Sequence, residues 1–236
     1  RNIMALPKIE TPVLRGKIAS TGEDVRFRPF KVKEEKILML ATEGNDFGEM
    51  VDACAQIVNN CVIAEDFDAY EIPMFDLQDM FLQIRKQSQG AQADFRLICG
   101  NQDCKKSINY TMELDDFKVV GLEDKPEDFI KVSDSMGIKL KYPTAKLGKL
   151  VEKLDDTQLV AKCIDYVVDG EETFSLEDET EENITQFVDD LPMDTFNEVR
   201  DFFASMPQLR HKVEFTCTDC GRENVVDING YEHFFG

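Results

Sequence analysis

Apolar and polar positions change period several times along this chain. Ile18, Val25 and Phe27 alternate with polar neighbours around Ser20-Thr21-Gly22, a pattern that predicts a hairpin. Beyond Pro29 the spacing lengthens, and Ile37, Leu38, Leu40 and Ala41 predict a short helix over 34–41. Met50, Ala53, Cys54, Ile57, Val58 and Cys61 then form one continuous helical stripe. Leu77, Met80, Phe81 and Ile84 repeat it, with Asp76 the expected N-cap and Gly90 just past the end. Arg85 and Lys86 suit the last turn of that helix, where cations meet the negative end of its dipole.

Residues 94–98 and 107–114 read as two strands flanking a polar turn, and 138–142 alternates strictly up to Pro143. Helical spacing is expected again at Leu159, Val160, Cys163, Ile164 and Val167, stopped by Gly170. A further helix opens near Pro192, places Phe196, Val199, Phe203 and Met206 on one face, and ends at Pro207. The last thirty residues are extended: Val213 and Phe215 precede a cysteine pair, and Val225, Val226 and Ile228 follow it. The fold class expected is α+β, a mainly helical body with a small four-cysteine zinc ribbon formed by two sequence-distant β-hairpins. The corresponding division is residues 1–92 as an N-terminal extended segment plus helical region, 93–114 with 208–230 as a discontinuous ribbon, and 115–207 as an acidic helical insertion.

Composition narrows the function classes. In 236 residues, 47 Asp and Glu face 27 Lys and Arg, a formal net charge of −20. Such a surface repels phosphate backbones and anionic lipid, so nucleic acid is not an expected partner. Two histidines exclude catalysis built on several of them. No apolar run reaches the roughly 18 residues of a membrane span. The start, from Arg1 to Ile9, lacks the apolar core of a secretory signal, and Met4 reads as a candidate natural start. A reducing compartment is therefore expected, in which the acceptor patterns at Asn109 and Asn183 carry no glycan and cysteines are buried hydrophobes, ligands or nucleophiles. Charge is also segregated. Between Asp165 and Asp201 fourteen carboxylates face Arg200 alone, whereas Arg26, Arg28, Lys31, Lys33 and Lys36 cluster near the N-terminus.

Seven cysteines fall into two kinds. Cys54, Cys61 and Cys163 sit in apolar stripes and read as small core residues. Cys54 and Cys61 share a helix face but lie roughly 10 Å apart, beyond disulfide reach. Cys99-Gly-Asn-Gln-Asp-Cys104 and Cys217-Thr-Asp-Cys220 differ: each pair sits in a polar turn between strands. Two such turns facing each other complete a tetrahedral four-sulfur site, so Cys99, Cys104, Cys217 and Cys220 are the expected ligands of a structural Zn2+. Gly100 and Gly221 give each turn backbone freedom. A redox dithiol, a disulfide within each pair, four unrelated thiols, or His211 or His233 replacing one Cys are the competing readings. Four thiolates leave no open position for water, which argues against a catalytic zinc.

No phosphate loop, His-Glu-x-x-His or Gly-x-Ser-x-Gly is present. The carboxylates of 177–182 read as a solvated run, and 165–177 lacks the oxygen pattern of a calcium loop. The expectation is a protein that is not an enzyme. Three features together carry a family resemblance: the run Val25-Arg-Phe-Arg-Pro-Phe-Lys-Val-Lys-Glu-Glu-Lys-Ile-Leu-Met-Leu-Ala41, the Cys99/Cys104 turn, and the ending Phe215-x-Cys-x-x-Cys-Gly-…-Ile228-x-Gly-x-x-x-Phe-Phe235. The chain resembles the baseplate hub proteins of T-even-like contractile-tailed bacteriophages. That resemblance implies a hub component or assembly factor (chaperone) of a phage tail, acting in the host cytoplasm or retained in the virion tail baseplate. Its partners would be other baseplate hub or central spike proteins. The segregated charge separately predicts that Arg26, Arg28, Lys31 and Lys33, or the Asp165–Asp201 surface, meet a complementary protein. The alternative is a zinc-ribbon subunit of a transcription or RNA-associated complex.

Overall fold

A computed structural model describes residues 9–44, 46–176 and 179–230. Met4, Glu177, His233 and the Phe234-Phe235 ending lie outside the described residues. The N-terminal hairpin forms from β1 (Leu14–Lys17) and β2 (Asp24–Phe27), closed by the Gly22 N–H on the Ile18 carbonyl at 2.8 Å, with Gly22 at φ 73°. Val25 and Phe27 face inward, as their alternation requires. Then come α1 (Val32–Gly44), α2 (Phe47–Cys61) and α3 (Met74–Gln89). The α2 stripe is buried, all but Met50, against Leu77, Met80, Phe81 and Ile84 of α3. Each large apolar side chain so buried stabilises the fold by about 1.5–3 kcal/mol, so this helix pair anchors the first core.

Asp76 is not the N-cap of α3, which begins two residues earlier with Pro73 at that position. Pro73 pairs with Thr144 in an isolated bridge, and the Met74 N–H reaches the Pro143 carbonyl at 3.0 Å, so a distant segment satisfies the first turn. The Asp76 carboxylate instead accepts the Ser20 N–H at 2.8 Å and ties the hairpin turn to the helix. Burial pushes its pKa up against these hydrogen bonds.

Two more antiparallel hairpins close over this core. The first is β3 (Gln92–Ile98) with β4 (Ser107–Glu113). The short β5 (Lys118–Val120) follows. A second body is then built from β6 (Phe129–Lys131), β7 (Met136–Leu140), α5 (Asp156–Cys163), β8 (Ile164–Asp169), β9 (Glu172–Ser175), α6 (Glu181–Asp189) and α7 (Met193–Ser205), while the short α4 (Ala145–Gly148) between β7 and α5 packs back on α2 and α3 and places Ala145 in the first core. The chain returns through β10 (Gln208–Thr216) and β11 (Glu223–Asn229). Strand β10 lies between β11 and β5, and turns Leu209 and Val213 into the first core.

The expectation of a mainly helical body is overturned. The described residues form eleven strands in four sheets beside seven α-helices. Residues 115–207 are not a helical insertion either: β6-β7-β8-β9 form a four-stranded sheet carrying a second core. Ile130, Ile138, Leu140, Ile164 and Val167 of that sheet pack against Val160, Val188, Val199 and Phe202 of the helices. The error begins at Cys163, where α5 stops and β8 starts, so Ile164 and Val167 are strand residues. Their helix-like spacing arises from a β-bulge. Leu140 pairs with Ile164 and Lys139 with Tyr166, leaving Asp165 as the extra residue. One inserted residue lets positions three apart share a face. Gly170, at φ 61°, then opens the turn into β9 rather than capping a helix. The two cores meet at Tyr142, whose ring stacks on Phe202 and packs edge-on against Phe75, each at 5.4 Å.

Candidate metal centre

The tips of the β3–β4 and β10–β11 hairpins carry the two cysteine turns. Aromatic rings bring the hairpins side by side: Tyr110 and Phe215 lie 6.5 Å apart, and Phe117, just beyond β4, stacks on Phe95 at 6.0 Å and lies 5.0 Å from His211. In the first turn the Cys99 N–H donates to the Lys106 carbonyl at 2.9 Å, and the N–H groups of Cys104 and Lys105 both donate to the Asn101 carbonyl. In the second the Cys217 N–H donates to the Arg222 carbonyl at 2.8 Å, and the Gly221 N–H to that of Cys217 at 2.9 Å.

The residue after the second cysteine of each turn is left-handed: Lys105 at φ 46° and Gly221 at φ 70°. Gly221 thus uses the freedom expected of it. Gly100 uses a different property, offering its N–H to the Asn224 side-chain oxygen at 2.9 Å. Asn224, buried within β11, also donates to the Arg222 carbonyl at 2.8 Å, so a single amide joins both turns. Sequence reasoning missed Asn224; its one signal is a polar residue at an inward position of the alternating run Asn224–Ile228.

All four sulfurs of Cys99, Cys104, Cys217 and Cys220 lie within 4.8 Å of one another. The Sγ atoms of Cys99 and Cys220 are 3.7 Å apart, and those of Cys104 and Cys217 are 3.8 Å apart. A tetrahedron with metal–sulfur distances of about 2.3 Å has edges of about 3.8 Å, so the spacing fits one ion at the centre. It is far from the roughly 2.05 Å of a disulfide, and all seven cysteines are free. Both close pairs run between the turns, not within them, so neither turn stands alone as a dithiol. His211 is absent from the cluster, and His233 lies outside the described residues.

The electrostatics favour a cation. The Arg222 N–H, with the neighbouring thiols, brings Cys220 down to about 7. The Lys106 N–H favours ionisation of Cys104, but burial and the adjacent sulfurs outweigh it and push that thiol up to about 12. Cys99 is raised in the same way despite the Asn101 N–H. One thiolate therefore forms readily while Cys99 and Cys104 are held protonated, which a divalent ion reverses. The remaining cysteines are core thiols: burial pushes Cys54 well up, Cys61 to about 11 and Cys163 to about 12.

The basic cluster near the N-terminus divides. Arg26, Lys31, Lys33 and Lys36 are exposed. Arg28 faces inward, its guanidinium bonded to both oxygens of Glu34 at 2.9 and 3.2 Å. Among the described residues no helix is long and apolar enough to cross a membrane.

A family model described as T4 bacteriophage base plate protein matches residues 11–236. No curated protein and no solved structure matches the chain.

Proposed function

Because the chain belongs to the T4 bacteriophage base plate protein family, we propose that it is a hub component or assembly factor (chaperone) of the tail baseplate, a scaffold braced by one structural Zn2+. The observation that carries this reading is the convergence of four sulfurs from turns more than a hundred residues apart. An ion held by Cys99, Cys104, Cys217 and Cys220 fastens the two hairpins at their tips, while the Asn224 amide and the packed rings fasten them below. Its chemistry is that of a fixed crosslink: four thiolates saturate the tetrahedron and leave no position for substrate or water. The chain then works by binding and not by catalysis, with hub or central spike proteins as its partners in the host cytoplasm. Family membership draws support away from the transcription-complex alternative, and no feature of the site restores it.

Metal analysis tests the brace directly. Purified protein should carry one zinc per chain, and its cobalt form should show the intense thiolate charge-transfer bands of a tetrahedral four-sulfur site with no exchangeable water. A water-bearing or zinc-free protein would refute it. Loading also releases protons. Cys99 and Cys104 are protonated at neutral pH without metal, so calorimetry in buffers of different ionisation enthalpy should record at least two protons per ion. Affinity should fall as pH drops, because protons compete for the same sulfurs. The baseplate role is tested by co-purification from infected cells, where association with hub proteins is expected and its absence counts against it.

A further inference from the structure

The seven thiols differ in what can reach them. Cys54 and Cys61 of α2 and Cys163 of α5 are buried, sealed from solutes by the cores around them. The four-sulfur cluster is open from one side. Cys99 and Cys217 are 1% exposed and Cys104 is half-buried, but Cys220 is exposed. It stands at the tip of the second turn, where a Cβ placed on the adjacent Gly221 would meet nothing within 4 Å. A small solute therefore meets the Cys220 sulfur first.

Each sulfur has a close partner on the other turn. The Cys99–Cys220 separation of 3.7 Å and the Cys104–Cys217 separation of 3.8 Å must shrink to about 2.05 Å for a disulfide, a shift of about 0.8–0.9 Å per sulfur. Side-chain rotation covers that distance without moving the backbone. The two turns also stay in register by means other than an ion. Asn224 bonds the first turn at Gly100 and the second at Arg222, and Lys106 pairs with Asp219 at 3.3 Å across the tip.

We propose that the cluster is a site of oxidative modification, where a peroxide forms two disulfides, Cys99–Cys220 and Cys104–Cys217, that replace the ion as the link between the hairpins. Each bond forms in two steps. The Cys220 sulfur attacks one peroxide oxygen, the S–O bond forms, the O–O bond breaks, and the departing hydroxide takes a proton to become water. The Cys99 sulfur then attacks that sulfenic sulfur, the S–S bond forms, and the S–O bond breaks as a second hydroxide leaves and is protonated. Cys104 and Cys217 consume a second peroxide in the same way. For the loaded site, two peroxides and four protons give two disulfides, four waters and a free zinc ion; the sulfurs are oxidised and the peroxide oxygens reduced. The new bonds join positions 121 and 113 residues apart, so they constrain the chain through long loops, which a bond within either turn would not. Oxidation thus changes the brace without releasing it. The inference rests on the braced-scaffold reading for its role and on the sulfur positions for its chemistry.

Full-length purified protein treated with hydrogen peroxide tests it, with zinc release followed by a chromogenic chelator and the bonds mapped by non-reducing mass spectrometry. Cleavage before Asp103 and Asp219 separates the two cysteines of each turn, so every pairing has its own mass. Excess peroxide should release one zinc per chain and join Cys99 to Cys220 and Cys104 to Cys217, leaving Cys54, Cys61 and Cys163 as thiols that alkylate after unfolding. One equivalent should give mainly the Cys99–Cys220 bond. In chelator, the oxidised protein should keep a Tm within a few degrees of the zinc form and lose about 6 °C or more once dithiothreitol opens the bonds. Bonds within either turn, the set Cys99–Cys217 with Cys104–Cys220, or sulfinic and sulfonic acids in place of crosslinks overturns the inference. So does a cluster that excess peroxide leaves unchanged. Wrong pairing in protein that carries one zinc would remove only this inference, whereas zinc-free protein that forms both expected bonds would remove the ion from the brace and leave the inference standing.

Discussion

Replacing Cys217 by Ser should cut bound zinc from one per chain to nearly none and destabilise the fold by about 3–9 kcal/mol. The range follows from mass action. Structural zinc bound to thiolate-rich peptides contributes an apparent 10–16 kcal/mol, so at about 10 μM free ion the native state gains about 3 kcal/mol at the weak end and about 9 at the strong end. For a chain of this size the smaller figure already lowers Tm by about 6–12 °C. Cys217 is the most informative member because it is buried and its N–H and carbonyl both hold the second turn. Cys54→Ser is the matched control, since it alters a thiol buried in α2 and should leave zinc unchanged. Asn224→Ala should cost less than C217S, about 1–3 kcal/mol for the unpaired groups it leaves, and keep the metal. Full zinc occupancy in C217S, or equal loss in C54S, would dismiss the four-sulfur brace.

How far the sequence carries depends on which distance sets each feature. The cysteine turns are local: Cys-x2-Cys and Cys-x4-Cys between alternating strands announce their shape within a dozen residues, and the two hairpins they cap lie at 92–113 and 208–229. The helices with one buried stripe, α2 and α3, are legible for the same reason. The second body is not. Val160, Cys163, Ile164 and Val167 satisfy a helical period, but the register of β7 against β8 decides the conformation of the last two, and the bulge at Asp165 disguises a strand. That register is a long-range fact with no local signature. Asp76 fails similarly, since a residue that reads as a cap from its neighbours is claimed by Ser20, 56 positions away.

Arg28 shows the same limit in the charge pattern, where a cluster of like residues suggests one shared surface. Its near neighbours Arg26 and Lys31 are exposed, but β2 ends at Phe27 and the chain turns inward, bringing the guanidinium to Glu34. A carboxylate at an inward position of α1 is the overlooked signal: Glu34, Ile37, Leu38 and Ala41 share the buried side, and three of the four are apolar. An acid on such a face requires a buried base, and the nearest Arg upstream supplies it.

Glu34→Ala should therefore be among the most damaging single substitutions outside the metal centre, costing about 3–5 kcal/mol by equilibrium denaturation. The loss has two parts. Arg28 would keep a desolvated guanidinium whose remaining hydrogen-bond partners among the described residues are the Pro29 carbonyl and the Cys61 sulfur. The Lys31 N–H, which donates to Glu34 at 2.8 Å, would lose the partner that closes the first turn of α1. Glu34→Gln should cost less, because an amide still accepts that N–H. Removing both charges, as in R28M/E34L, should cost less than the sum of the single changes, since no uncompensated ion remains. The pH dependence has a definite sign. Burial opposes ionisation of Glu34, but the Arg28 hydrogen bond and the Lys31 N–H outweigh it, and the folded pKa lies below the usual glutamate value. Its stabilisation is thus complete above about pH 4.3 and is lost as pH falls through the depressed folded value. The gap between wild type and E34Q should close over that interval and stay constant above it. A cost below about 1 kcal/mol for E34A, or strict additivity in the double variant, would mean that the pair contributes little.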